Sequence, residues 1–201
     1  MKFLESMGDL EEIYGTPTPA STRKVAHRMT EDYRAWISRA RFCVVSTVGP
    51  EGADGSPRGD DGPVVRELDP VTLALPDWRG NDRIDTLRNI VRDPRMALMF
   101  MIPGSNNVVR VNGRGRVTAD PDLLASFEFK GRQPRTVVVL EIDEIYFQCA
   151  RAVMRAGLWA GRDESEGLPT PGQILSRMTE GEVGGETYDR DWPERAARTM
   201  W

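Results

Sequence analysis

The chain has 201 residues, 39% of them hydrophobic, and a formal net charge of −4, with a mass of 22.5 kDa and an isoelectric point near 5.2. That length supports one domain with a tail, and a core large enough to need no disulfide or metal staple. The acidic balance argues against a nucleic-acid or anionic-membrane partner. No apolar run reaches the roughly 18 residues of a membrane span, and the single histidine excludes zinc sites built on two or three of them.

Residues 1–27 are polar, carry Pro17 and Pro19, and read as an N-terminal arm. The first ten residues place acids early and have no apolar stretch of the signal-peptide kind, so a cytoplasmic location is expected. His27 is expected on the surface, with no nucleophile-elbow motif to serve. Tyr33, Trp36, Ile37 and Ala40 recur at helical spacing behind Thr30, Glu31 and Asp32, which predicts a helix over 30–40. Phe42 to Val48 is rich in β-branched residues and ends at Gly49-Pro50, a strand and a turn. Asp54 to Asp60 reads as a short, irregular strand that Pro57 confines to an edge, a bulge or a ligand-facing position.

Thr72 to Leu75 is the third strand, broken at Pro76. A helix follows from near Asn81 to residue 92, with Ile84, Leu87, Ile90 and Val91 on one face, and stops before Asp93-Pro94. Arg95 to Ile102 is an apolar strand expected to be buried on both faces. Val108 to Val117 is a strand bent at Gly113 or Gly115, Pro121 to Phe129 a helix, and Thr136 to Phe147 a long strand with a bulge near Asp143-Glu144. Arg151 to Trp159 turns helical. Residues 160–201 are rich in Gly, Pro, Glu and Asp and form a C-terminal tail, with Trp192, Met200 and Trp201 as apolar anchors onto the body or a partner subunit. The reading is mostly β with peripheral helices: about six antiparallel strands in a closed or split barrel, divided as arm 1–27, domain 28–159 and tail 160–201. Cys43 and Cys149 each sit in an apolar run and are expected to be buried thiols.

Two stretches carry chemistry. In Ser56-Pro-Arg-Gly-Asp60, Gly59 would let the backbone approach a planar ligand while Arg58 contacts its anionic edge. The alternative is a surface turn with an Arg–Asp pair. In Trp78-Arg-Gly-Asn-Asp-Arg83, Asn81 is a good helix cap, Gly80 frees the approach, and Arg83 adds a cation to a helix N-terminus, a combination that can hold a phosphate. The alternative is an ordinary capped helix, and Asp82 and Asp85 would compete with a bound dianion. Gly113-Arg-Gly-Arg lacks the third glycine of a dinucleotide fingerprint and reads as a bent strand. Glu141, Asp143 and Glu144 read as a solvated face. No catalytic residue and no metal site are assigned.

From about Tyr33 to Trp159 the chain resembles the pyridoxamine 5′-phosphate oxidase-like FMN-binding split barrels. Ser56–Asp60, Leu75-Pro-Asp-Trp-Arg-Gly-Asn-Asp-Arg-Ile-Asp-Thr-Leu-Arg-Asn-Ile90 and Arg110-Val-Asn-Gly-Arg114 are similar to the ordered motifs of one subgroup. The resemblance implies a homodimer with FMN in two interface clefts, hydride transfer through flavin N5 and a small-molecule substrate. It places Ser56, Arg58, Gly59 and Asp60 along the ring, Pro76, Asp77, Asn81 and Arg83 at the ribityl phosphate, and Val108 against the ring. It also implies an alternative, a flavin, F420 or haem binder without turnover. The chain departs from the subgroup at Gln148 and Arg151, where relatives carry His and Lys. It lacks the C-terminal run by which true pyridoxamine 5′-phosphate oxidases grip their substrate, so vitamin B6 oxidation is not expected.

Overall fold

The computed structural model describes residues 1–80, 82–149 and 151–201. A seven-stranded antiparallel sheet runs in the order β2-β1-β5-β6-β7-β4-β3, with β1 Phe42–Gly49, β2 Gly52–Gly59, β3 Arg66–Asp69, β4 Thr72–Asp77, β5 Arg95–Met101, β6 Asn107–Thr118 and β7 Thr136–Cys149. It curls as a split barrel whose two edges, β2 and β3, do not pair with each other.

Alternation decides which side chains make the core. Cys43 and Val45 of β1, Leu98 and Phe100 of β5, Val109 and Val111 of β6, and Leu140 and Ile145 of β7 are almost fully buried in one cluster. Burying each of these side chains is worth about 1.5–3 kcal/mol. β5 shows a buried row of Met96, Leu98 and Phe100, while Ala97, Met99 and Met101 are only half-buried. The expectation of burial on both faces is corrected: the second face is only part-covered, by Val108, Val153 and Trp159.

Several local expectations change for identifiable reasons. β3 is short, charged and at an edge, so Arg66-Glu-Leu-Asp69 gives no strand signal. β4 runs through Pro76 rather than breaking there, pairing Pro76 with Val137 of β7. β3 opposes β4 only from Thr72 to Ala74, so the missing N–H of Pro76 costs no ladder bond. β2 is regular, paired residue for residue with β1 from Gly52 to Gly59, and Pro57 sits on an outer edge. The bulge near Asp143 is present: Asn112 opposes Glu144 while Gly113 opposes Ile142. Gly113 is required there, because a Cβ would lie 2.0 Å from the Glu141 carbonyl. The Asp143 carbonyl accepts the His27 Nδ1 contact at 2.7 Å, and His27 is exposed.

The helix after β4 is α4, Asp85–Arg92 (α1 Met7–Tyr14, α2 Pro19–Thr22 and α3 Glu31–Ile37 precede it). It does not start near residue 82. Asp82 and Ile84 both adopt positive φ, 60° and 52°, which holds the chain out of helix until Asp85. Asn81, expected as the cap, lies outside the described residues, and the cap is Ile84. The buried face is the expected one only in part: Ile90 is in the core and Leu87 packs against it. Thr86, Asn89 and Ile90 are buried, whereas Ile84 and Val91 are 47% and 74% exposed. Asn89 Nδ2 donates to Thr47 Oγ1 at 3.2 Å, and Thr86 Oγ1 donates to Asp54 Oδ2 at 2.6 Å, so polar bonds pin this helix to β1 and β2.

α5 Pro121–Ser126, α6 Arg151–Ala156, α7 Pro171–Met178 and α8 Gly185–Thr199 complete the chain. The arm and tail are more helical than their polarity suggests. Beyond α8, Trp201 makes edge contacts with Trp78 and Phe129 at 5.6 and 4.9 Å between centroids, and Arg132 Nη1 donates to the Trp201 carbonyl at 2.6 Å. Trp192 and Met200 remain more than half exposed. Cys43 is buried as expected; Cys149, the last residue of β7, is exposed, a correction. No helix among the described residues is long and apolar enough to cross a membrane.

Candidate functional site

β2 and the end of β4 lie on opposite sides of the split, and α4 begins between them. Asp54, Ser56 and Arg58 alternate on one face of β2, opposite Thr47, Val45 and Cys43 of β1. Asp77 ends β4 and is paired across the ladder with Thr136, the first residue of β7. These residues, with Trp78, Arg79, Gly80, Arg83, the first turn of α4 and Arg135, line a cleft of about 490 Å³. That volume falls inside the usual range for small-molecule sites, about 300–1,000 Å³.

The cleft holds both signs of charge. Arg58 Nη2 lies 3.5 Å from Asp77 Oδ1, with both side chains mostly covered. Arg83 Nε donates to Asp85 Oδ2 at 2.7 Å, and Arg135 lies 3.5 Å from Asp82. Each carboxylate that could repel an anion is therefore met by an arginine, or, for Asp54, by Thr86. Ile84, the N-cap residue, has no side-chain acceptor for the first turn of α4, and Asp85, Thr86 and Leu87 of that turn line the cleft, where the positive end of the helix dipole lies. Burial pushes the Asp77 carboxyl above its usual range, against the pull of Arg58 and Arg135. Beneath Arg58, burial pushes the Cys43 thiol up to about 12, which makes it an inert core group. Thr136 Oγ1 is buried and has no hydrogen-bond partner among the described residues.

The expected site residues fall into three groups. Ser56, Arg58, Asp77 and Arg83 line the main cleft. Gly59, Asp60 and Pro76 line an adjoining cavity of about 160 Å³ that shares Arg58 and Trp78 with it. Trp78 Nε1 donates to Asp60 Oδ2 at 2.9 Å, which joins the two strands beside that cavity. Val108 lines neither; it is 5% exposed and packs against Val153, Met99, Met101 and Trp159. Its strand β6 is separated from β2 by β1 and β5. Sequence reasoning missed Asp54, Thr86, Arg135 and Thr136. Period-two spacing with Ser56 and Arg58 could have found Asp54. Nothing local marks Arg135 and Thr136, which strand pairing alone brings to Asp77. Among the described residues no group of three or more His, Cys, Asp or Glu side chains could hold a metal ion.

The family model for pyridoxamine 5′-phosphate oxidase matches residues 29–149, more than half of the chain. The chain belongs to the pyridoxamine 5′-phosphate oxidase family. The matched region spans all seven strands and the cleft. A crystal structure of HupZ from Group A Streptococcus is 15% identical, with a TM-score of 0.51 over 61% of this chain and 95% of that one, a likeness of fold alone. General Stress Protein 26 from Bacillus anthracis is 17% identical (TM-score 0.43, 55% and 86% covered). An FMN-binding protein from Syntrophomonas wolfei is 15% identical (TM-score 0.42, 55% and 78% covered). No curated protein matches the chain.

Proposed function

We propose that this family member binds FMN in the cleft between β2, β4 and α4 and acts as an FMN-dependent oxidoreductase on a small molecule. The observation that carries the reading is the convergence of Arg58, Arg79, Arg83 and Arg135 on a cleft that also holds the start of α4. A phosphate is recognised by such arginine forks together with a helix N-terminus. The Thr136 hydroxyl, without a partner among the described residues, adds a buried polar atom with bonding capacity to spare. Arg83 and Arg79 would hold the phosphate, while Arg58 and Ser56 would face the ring. When bound, flavin supplies the hydride-accepting centre, so the protein need contribute no general base.

Part of the proposal is a homodimer. Phe42, Val44, Met99 and Met101 form a half-buried apolar strip on one side of the sheet, and Phe147, Met154 and Leu158 are exposed apolar side chains as well. The mass in solution is then about twice 22.5 kDa, as light scattering after size exclusion would read.

A second reading, binding without turnover, is favoured by the scarcity of proton-transfer groups: the one histidine is held by Asp143 on the arm side. A haem ligated by that histidine has no support in the cleft. The test is direct. Purified protein should be yellow and release FMN identified by mass. Anaerobic addition of a reduced nicotinamide should bleach it. Bound flavin that no such donor reduces would favour the second reading, and protein that takes up no FMN would end the first.

A further inference from the structure

We propose that Thr136, with Asp77 beside it, recognises the polyol chain of the ligand rather than its phosphate; the inference rests on the flavin reading above. The starting point is the Thr136 hydroxyl, buried at the cleft wall without a partner among the described residues. A buried polar atom left unpaired is costly, and folded proteins rarely keep one without a reason. A valine would fill the same space without that cost, so packing does not explain a threonine here.

Its surroundings select the ligand chemistry. Thr136 is directly opposite Asp77 on neighbouring antiparallel strands, which puts both side chains on one face of the sheet. Asp77 lies within the influence of Arg58 on one side and Arg135 on the other. A phosphate offers only acceptors, and beside Asp77 it would compete with the carboxylate for Arg58 and Arg135. A polyol hydroxyl both donates and accepts. It can donate to Asp77 while another accepts from Thr136. The anion then belongs with the guanidinium groups of Arg79 and Arg83, and the ring with Arg58 and Ser56. This divides the cleft into phosphate, polyol and ring segments, with Thr136 at the middle.

The experiment titrates FMN, riboflavin and lumiflavin, which lacks the ribityl chain, into ligand-free wild-type, Thr136→Val, Thr136→Ser and Asp77→Asn proteins by flavin fluorescence. Thr136→Val should weaken FMN and riboflavin about five- to tenfold, the loss of one neutral hydrogen bond, and leave lumiflavin unchanged. Thr136→Ser should restore wild-type affinity, and Asp77→Asn should show the same selectivity for ligands with the chain. The ligand-free Thr136→Val protein should melt at or above the wild-type temperature, because an unpaired hydroxyl has been removed. FMN affinity unchanged in Thr136→Val, or lumiflavin weakened equally, would overturn this assignment while leaving the flavin reading intact. A wild-type protein that binds neither FMN nor riboflavin would overturn both.

Discussion

Arg58 of β2 and Asp77 of β4 face each other at 3.5 Å across the split of the barrel, two strands that share no ladder hydrogen bond. The pair closes the floor of the cleft where the sheet does not. Arg58→Ala removes the cation nearest a part-buried carboxylate. We expect it to weaken FMN binding roughly tenfold and to cost about 1 kcal/mol of stability, the lower end for a pair that keeps some solvent contact. Fluorescence titration and urea unfolding of the two proteins check both parts.

The Asp77 carboxyl gives a pH signature. Its folded-state pKa is raised above 3.8, chiefly by burial. The folded protein therefore binds this proton more tightly than the unfolded chain, and stability falls as pH rises from about that value through the folded one. Asp77→Asn abolishes this contribution. The melting temperature of the variant minus that of wild type should increase across that window and level off above it. A flat difference from pH 3.5 to 7 would contradict the assignment.

Gly113 sits where β6 and β7 approach at the bulge, with a built Cβ only 2.0 Å from the Glu141 carbonyl. Backbone cannot swing aside as a side chain can. Gly113→Ala should destabilise by about 3 kcal/mol, at the upper end of overpacking costs. Gly55→Ala, where a Cβ meets open space, should be nearly silent in the same denaturant series.

Trp201 rests edge-on against Trp78 and Phe129, and Trp78 in turn donates to Asp60. Trp201→Ala should cost about 1–2 kcal/mol, two aromatic pairs at about 0.5–1.5 kcal/mol each, discounted for partial exposure. Because Trp78 also lines the cleft, the variant should shift tryptophan emission and alter flavin quenching. Unchanged emission and melting would show that the tail contact does not persist in solution.

Much of this architecture is legible in the residues. Alternating β-branched runs announce β1, β6 and β7, and the Thr30 cap and the bulge at Asp143 lie where composition places them. The misses share one cause: side-chain pattern reports local burial, not pairing. The hydrophobic residues of 84–91 suggest an apolar helix face. Ile90 and Leu87 do reach the core, but Ile84 and Val91 are exposed, and the helix is also held by Thr86 and Asn89 through hydrogen bonds to Asp54 and Thr47, residues more than thirty positions away. Pro76 looks like a breaker until β3 is seen to end before it. For the site, the motifs bring Ser56, Arg58, Asp77 and Arg83 together. Arg135 and Thr136 enter only through the register of β7 on β4.

Arg79 and Arg83, which line the cleft just ahead of α4, are proposed to hold the phosphate of FMN. This role is tested most directly by titrating FMN and riboflavin into ligand-free wild-type and Arg83→Ala proteins. Wild type should bind one FMN per chain and prefer FMN over riboflavin, and Arg83→Ala should lose that preference with FMN affinity down about tenfold or more, as for a charge-assisted contact of about 1.5–3 kcal/mol. Equal affinity of wild type for FMN and riboflavin, or no binding of either, would contradict it.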